Sequence, residues 1–292
     1  MRVTVWASVF FDVRWQRFGG RYSVLMAVVL AACATPAEHF ERRGAELGFA
    51  SISLQGEAFH HRAYVAGVQE GSGTLHVYVE HDGTPWADFT HVASDPTPRT
   101  PFALELMAQD VGPRLLLGRP CYFDPRKDPH CGPLLWTHQR YSPEVITSMV
   151  AALRSFLSTH PFRRVVLIGY SGGGTIAWLM AAHVPETTGV VTVAANLDTD
   201  DWARIHGYSA LKGSLNPALL PELPPTIIQL HYVGSRDQNV PPSVVRSFSR
   251  HHPEALVIEV AGFEHGCCWI KRWPQLLDES ATTLLTTRRR RD

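Results

Sequence analysis

Residues Arg164–Gly174 read RVVLIGYSGGG and run on into Thr175–Glu186, TIAWLMAAHVPE. Val165–Ile168 is a continuous apolar run stopped by Gly169, which is the length and boundary of a strand buried on both faces. Thr175–His183 then reads as a helix that is apolar on nearly every side, as a helix inside a core would be. Between strand and helix sits one hydroxyl, Ser171, with glycine at positions 169, 172, 173 and 174. A serine so placed is either a reactive group or part of a tight turn, and the rest of the chain has to decide which.

Outward from this segment the chain alternates strands and helices. Residues 50–67 (ASISLQGEAFHHRAYVAG) and 73–80 (GTLHVYVE) alternate in polarity and predict strands. A helical stretch over Pro101–Ala108 and an apolar run, RLLLGRP, follow. Tyr141–His160 predicts an amphipathic helix with Ser142 as N-cap and Pro143 at its first position. Beyond the opening segment come the strand GVVTVAANLD, the Pro-rich linker NPALLPELPP, the strand TIIQLHYV, a helix from near Pro241, the strand ALVIEVAG and a last helix over Pro274–Thr287. This order predicts an α/β protein with a mostly parallel sheet and helices on both faces. Such sheets carry their sites at the carboxyl ends of the strands.

Three strand ends carry chemistry. Gly169-Tyr170-Ser171-Gly172-Gly173 matches G-x-S-x-G between a strand and a helix. In that turn the serine is held in a strained conformation above the sheet edge, and small neighbours let strand and helix approach. The next N–H, at the helix N-terminus, points to where an oxyanion would form. Neither G-x-G-x-x-G nor G-x-x-x-x-G-K-[ST] fits the segment. A serine needs a base to become nucleophilic, and the base needs an orienting acid. Asp237 lies just past a strand end in GSRDQNVPP, and His265 follows the last strand between Gly262 and Gly266. Asp198, at the end of GVVTVAANLD, is the second candidate for the acid, and Glu264 reads as a rim carboxylate. His60, His61, His251 and His252 read as surface or core residues. His130, Cys131 and His138 lack zinc-site spacing, so no metal is expected.

Taken in the order Ser, acid, His, these motifs resemble the serine α/β-hydrolase family across nearly all of the chain beyond its N-terminal segment. The resemblance implies the α/β-hydrolase fold. Only residues 198–225 separate two consecutive strands, too few for a large lid. It implies Ser171 as nucleophile, His265 as general base and Asp237 as the orienting acid, with no cofactor. It also implies an oxyanion hole built from the N–H of Gly172 and a second N–H in the loop His81-Asp82-Gly83-Thr84, with Gly83, Asp82 and Thr84 as candidates. The expected partner is a small-molecule acyl substrate, with a carboxylic ester as the leading reading. A peptidase or thioesterase would use the same triad. The reading from another class is a hydrolase-fold lipoprotein that binds a partner or envelope component without catalysis. Trp86, Tyr170, Trp202 and Trp269 lie near the motifs, either lining an acyl or aromatic pocket or packing the sheet edge.

The 27 basic and 27 acidic residues cancel, which gives no electrostatic footprint for nucleic acid. The run Arg288–Arg291 reads as a solvated end. At the other terminus, Arg14, Arg17 and Arg21 precede the apolar stretch Val24–Ala32, the order of a secretory signal. Leu30-Ala31-Ala32-Cys33 resembles the lipobox of bacterial lipoproteins, which implies a lipid on Cys33. The predicted layout is a signal peptide over 1–32, a tether over 33–48 and one α/β-hydrolase domain over 49–292. The protein would then be membrane-anchored and face the periplasm or cell exterior; the alternative is a soluble exported form. Export permits disulfides among Cys121, Cys131, Cys267 and Cys268. Cys121 and Cys131 would close a short loop, while adjacent Cys267 and Cys268 would either pair with each other or reach back to that loop.

Overall fold

The strand that opens at Val165 lies at the centre of an eight-stranded sheet. We describe the protein from a computed structural model covering residues 34–68, 73–88, 90–123, 125 and 128–291. The signal and lipidation readings, Cys33 included, fall outside the described residues. The strands are β1 (Ala50–Gly56), β2 (Phe59–Ala66), β3 (Leu75–Val79), β4 (Arg114–Leu117), β5 (Val165–Tyr170), β6 (Thr187–Val193), β7 (Ile228–Gly234) and β8 (Leu256–Val260). They lie in the order β1-β2-β4-β3-β5-β6-β7-β8. The β1–β2 and β2–β4 pairs are antiparallel, and every other pair is parallel.

Successive side chains of the central strands feed two cores. Val165 and Leu167 of β5 and Leu75, Val77 and Val79 of β3 join one core. Val166, Ile168 and Tyr170 of β5 and Tyr78 of β3 join the other. This two-sided burial is why β5 reads as an unbroken apolar run. Helices α3 (Pro143–Thr159), α4 (Gly172–Ala181) and α6 (Pro242–Ser249) supply the first core. Helices α1 (Pro36–Glu46), α2 (Phe102–Ala108) and α7 (Trp269–Arg291) supply the second. Every residue of α4 is buried. Ser142 caps α3, accepting from Val145 N–H at 3.3 Å, with Pro143 opening the helix. The β6–β7 connection carries only α5 (Thr199–His206) and one 3₁₀ turn.

The tether expected over 33–48 is corrected. Thr35 and Glu38 form a capping box, and α1 follows with its one aromatic, Phe40, fully buried. Arg43 reaches Glu105 of α2 through two hydrogen bonds, from Nε and Nη2. Burying a phenylalanine is worth about 2–3 kcal/mol, so a stretch that is polar in composition still folds onto the sheet. The compact unit therefore begins at Ala34 rather than at residue 49.

Candidate active site

The elbow at Ser171 shows why the glycines are there. Ser171 has φ 53° and ψ −125°, a strained conformation for a side-chain-bearing residue and one that recurs at functional sites. A Cβ on Gly169 would strike the backbone of Gly173 and Gly174, and one on Gly173 would strike the carbonyls of Val79 and Glu80. Strand β5, helix α4 and the end of β3 thus meet at backbone distance. Ser171 N–H donates to Val193 O at 2.9 Å, which ties the turn to β6.

The two other strand ends converge on the serine. His265 Nε2 lies 3.1 Å from Ser171 Oγ, and its Nδ1 lies 2.8 Å from Asp237 Oδ2. A carboxylate only accepts, so Nδ1 carries the proton and Nε2 is left as the acceptor facing Ser171. The other oxygen of Asp237 accepts from the N–H groups of Asn239 and Val240 at 2.9 and 2.8 Å. This fixes a carboxylate whose side chain is wholly buried. The acid and histidine loops are also joined to each other, Arg236 N–H donating to Phe263 O and Gly262 N–H to Ser235 Oγ. Tyr170 OH and Trp269 Nε1–H both donate to His265 O, at 3.1 and 3.0 Å. Asp198 is occupied elsewhere, because its Oδ1 accepts from Asp201 N–H and Asn216 Nδ2, capping α5. Glu264 borders the acid and histidine loops.

Of the three N–H groups considered in the loop after β3, two are engaged. Gly83 N–H donates to His81 Nδ1 at 3.0 Å, and Thr84 N–H donates to Pro96 O at 2.9 Å. Among the described residues, the N–H of Asp82 and that of Gly172 meet no protein acceptor. The expectation that Gly83 or Thr84 donates is corrected accordingly, and Asp82 remains.

Nothing in the sequence marks out the Asp82 side chain. Its carboxylate packs against Gly172, where any Cβ would strike Asp82 Oδ1 and Tyr141 OH. It accepts from Arg119 Nη1 at 2.5 Å, Arg140 Nη1 at 3.0 Å and Tyr141 OH at 2.6 Å. Burial alone would raise its pKa, but the charges of Arg140 and Arg119 and the Tyr141 hydrogen bond hold it well below the usual carboxylate range. Next to it, Glu80 is buried under the N-terminus of α2 and accepts from the N–H groups of Ala103 and Leu104. Burial raises the pKa of Glu80 despite these bonds.

Ser171, Gly172, His265 and Asp82 border a cavity of about 510 Å³, with Tyr170 and Trp202 among its walls. Trp86 borders a neighbouring cavity. Trp269 is buried behind the histidine loop and lines neither. Cys121 pairs with Cys131, and Cys267 with Cys268; these pairs leave no cross-link between the two regions.

No protein-family profile matches the sequence, and no curated protein matches it. Solved structures do. Est1E from Butyrivibrio proteoclasticus is similar over 81% of this chain and 99% of its own, with 13% identity and a TM-score of 0.53. The Pyrococcus furiosus esterase Pf2001 is similar over 83% and 94%, with 15% identity and a TM-score of 0.55. The chain has the α/β-hydrolase fold. A puromycin-hydrolysing peptidase of Mycobacterium tuberculosis is similar over 82% of this chain but only 39% of its own, with 14% identity and a TM-score of 0.56. Within the α/β-hydrolase fold, Ser171, Asp237 and His265 stand at the ends of β5, β7 and β8.

Proposed function

We propose that the protein is a serine hydrolase that cleaves a carboxylic ester through an acyl-enzyme. The observation that carries this reading is the hydrogen-bonded chain Ser171–His265–Asp237 opening onto the 510 Å³ cavity. Ser171 Oγ attacks the ester carbonyl while His265 Nε2 takes its proton. Asp237 keeps the imidazole oriented and stabilises the imidazolium that forms. The carbonyl oxygen becomes an oxyanion, which the N–H groups of Gly172 and Asp82 would hold. His265 then returns the proton to the leaving alcohol. Water enters, His265 activates it, and attack on the acyl-serine releases the carboxylic acid and regenerates Ser171.

Asp82 brings a negative charge close to a developing oxyanion, which by itself would raise the barrier. Two arginines offset it, so the cluster Asp82–Arg119–Arg140 is net positive and its loop is held in place. Treatment with a fluorophosphonate probe followed by mass spectrometry tests the reading. We expect one adduct, on Ser171, and none in the His265→Ala variant. A well-folded protein that takes up no probe would sink the hydrolase reading and leave the fold as a binding scaffold.

A further inference from the structure

A second cavity, of about 690 Å³, adjoins the first, and the two share Pro85, Arg140 and Trp202 as walls. Its remaining walls include Trp86, His138 and Tyr208. Trp86 is 39% and Tyr208 57% exposed, whereas Trp178, Trp269 and Trp273 are buried in the cores. Large rings left in water around a concavity are costly unless a ligand covers them. The rings are also braced. Trp86 meets His138 edge-on at 6.3 Å and Trp202 meets Tyr208 at 5.2 Å. Trp202 Nε1–H is fixed on Asn239 O at 2.8 Å, so its indole is held in place for a ligand to stack on.

The shared ridge adds a planar cation. Arg140 Nε donates to Thr137 O at 2.6 Å and its Nη1 to Asp82, which immobilises the guanidinium plane. Guanidinium planes and aromatic faces both favour flat partners. An alkyl chain would call for aliphatic walls, and among the described residues that line this cavity Leu211 is the sole leucine, isoleucine or valine. We propose that the second cavity binds a planar aromatic ring of the substrate, so that the ester presented to Ser171 carries an aryl group. This rests on the hydrolase reading above.

The test compares kcat/KM for methyl 3-phenylpropanoate and benzyl acetate, which place a ring on the acyl or the alcohol side, with ring-less methyl butanoate and ethyl acetate. One ring-bearing ester should be favoured by at least about ten-fold, the order expected for a stacked and desolvated ring. The ratio should fall towards one in Trp86→Ala and in Tyr208→Ala, whose side chains lie outside both cores. A second arm titrates 3-phenylpropanoate and benzyl alcohol into the Ser171→Ala protein by calorimetry. Equal rates on ring-bearing and ring-less esters, or a preference that both substitutions leave intact, would overturn the aryl site and spare the hydrolase reading. Ring binding that Trp86→Ala abolishes, in a protein that hydrolyses no ester, would keep the site and overturn the hydrolase reading.

Discussion

The two walls of the Ser171 cavity are built on different principles. One wall, formed by the elbow with the acid and histidine loops, is a backbone construction. Glycines let β5, α4 and β3 touch, and loop N–H groups clamp Asp237. The opposite wall, the loop after β3, is an electrostatic construction. Asp82 is locked by Arg119, Arg140 and Tyr141, which lie 37, 58 and 59 residues away along the chain. The backbone wall fixes where atoms sit through steric exclusion, whereas the ionic wall does so only while its charges stay paired. Damage to the first should therefore remove a chemical role, and damage to the second should misplace a donor.

The largest effect separates two aspartates within the first wall. Asp237→Asn should lower kcat by about 10⁴-fold, because the amide no longer selects the imidazole tautomer that accepts from Ser171. Asp198→Asn should change kcat little, since Asp198 caps α5 rather than touching His265. Steady-state kinetics of the two variants decides between them, and the reverse ranking would move the acid to the end of β6. The ionic wall should give a smaller effect. Asp82→Ala releases both arginines and Tyr141, and we expect kcat to fall by about 10²–10³, the cost of losing one oxyanion donor. KM should hold nearly constant, because a misplaced oxyanion donor harms the transition state more than the bound ester. A rise in KM at unchanged kcat would show that the loop binds substrate without serving the oxyanion.

The same contrast explains what could be read from the sequence. The elbow, Asp237 and His265 were legible because each is a local motif at a strand end, where spacing and neighbouring glycine or proline carry the geometry. The parallel sheet was legible because two-sided burial writes an apolar run into β5. The Asp82 cluster was not, because Arg119 in GRPC and Arg140 in QRYSP show no local sign of a shared partner. The choice among Asp82, Gly83 and Thr84 was likewise open, since it depends on His81 Nδ1 and Pro96 O taking two of the N–H groups. Helix α1 escaped for a related reason. Its tertiary anchors include Phe40, the Arg43–Glu105 pair and the Glu41–Arg62 pair, and a single aromatic in a polar stretch gives little periodicity to detect.

Acid offers a way to sharpen the comparison through a third buried polar site, between β2 and α3. His61 Nδ1–H donates to Gly118 O at 2.8 Å, and Nε2 lies 2.7 Å from Ser148 Oγ. Burial holds this imidazole neutral, lowering its pKa to about 4, against roughly 6.5 in an unfolded chain. Between those values the unfolded chain binds the extra proton and the folded protein does not, so stability rises with pH across that window. On acidification from about pH 7.5 to about pH 5, His61 alone should remove roughly 2 kcal/mol of folding free energy. Asp82, held below the usual carboxylate range by its arginines, stays charged over the same interval and contributes no such loss. Urea unfolding at the two pH values, in the wild type and in His61→Gln, isolates the contribution of His61, because other titrating groups are common to both proteins. A pH difference in stability that is the same in both would show that His61 is not the acid-sensitive site, and would pass the response to the other imidazoles that burial holds below their usual pKa, His231 and His252.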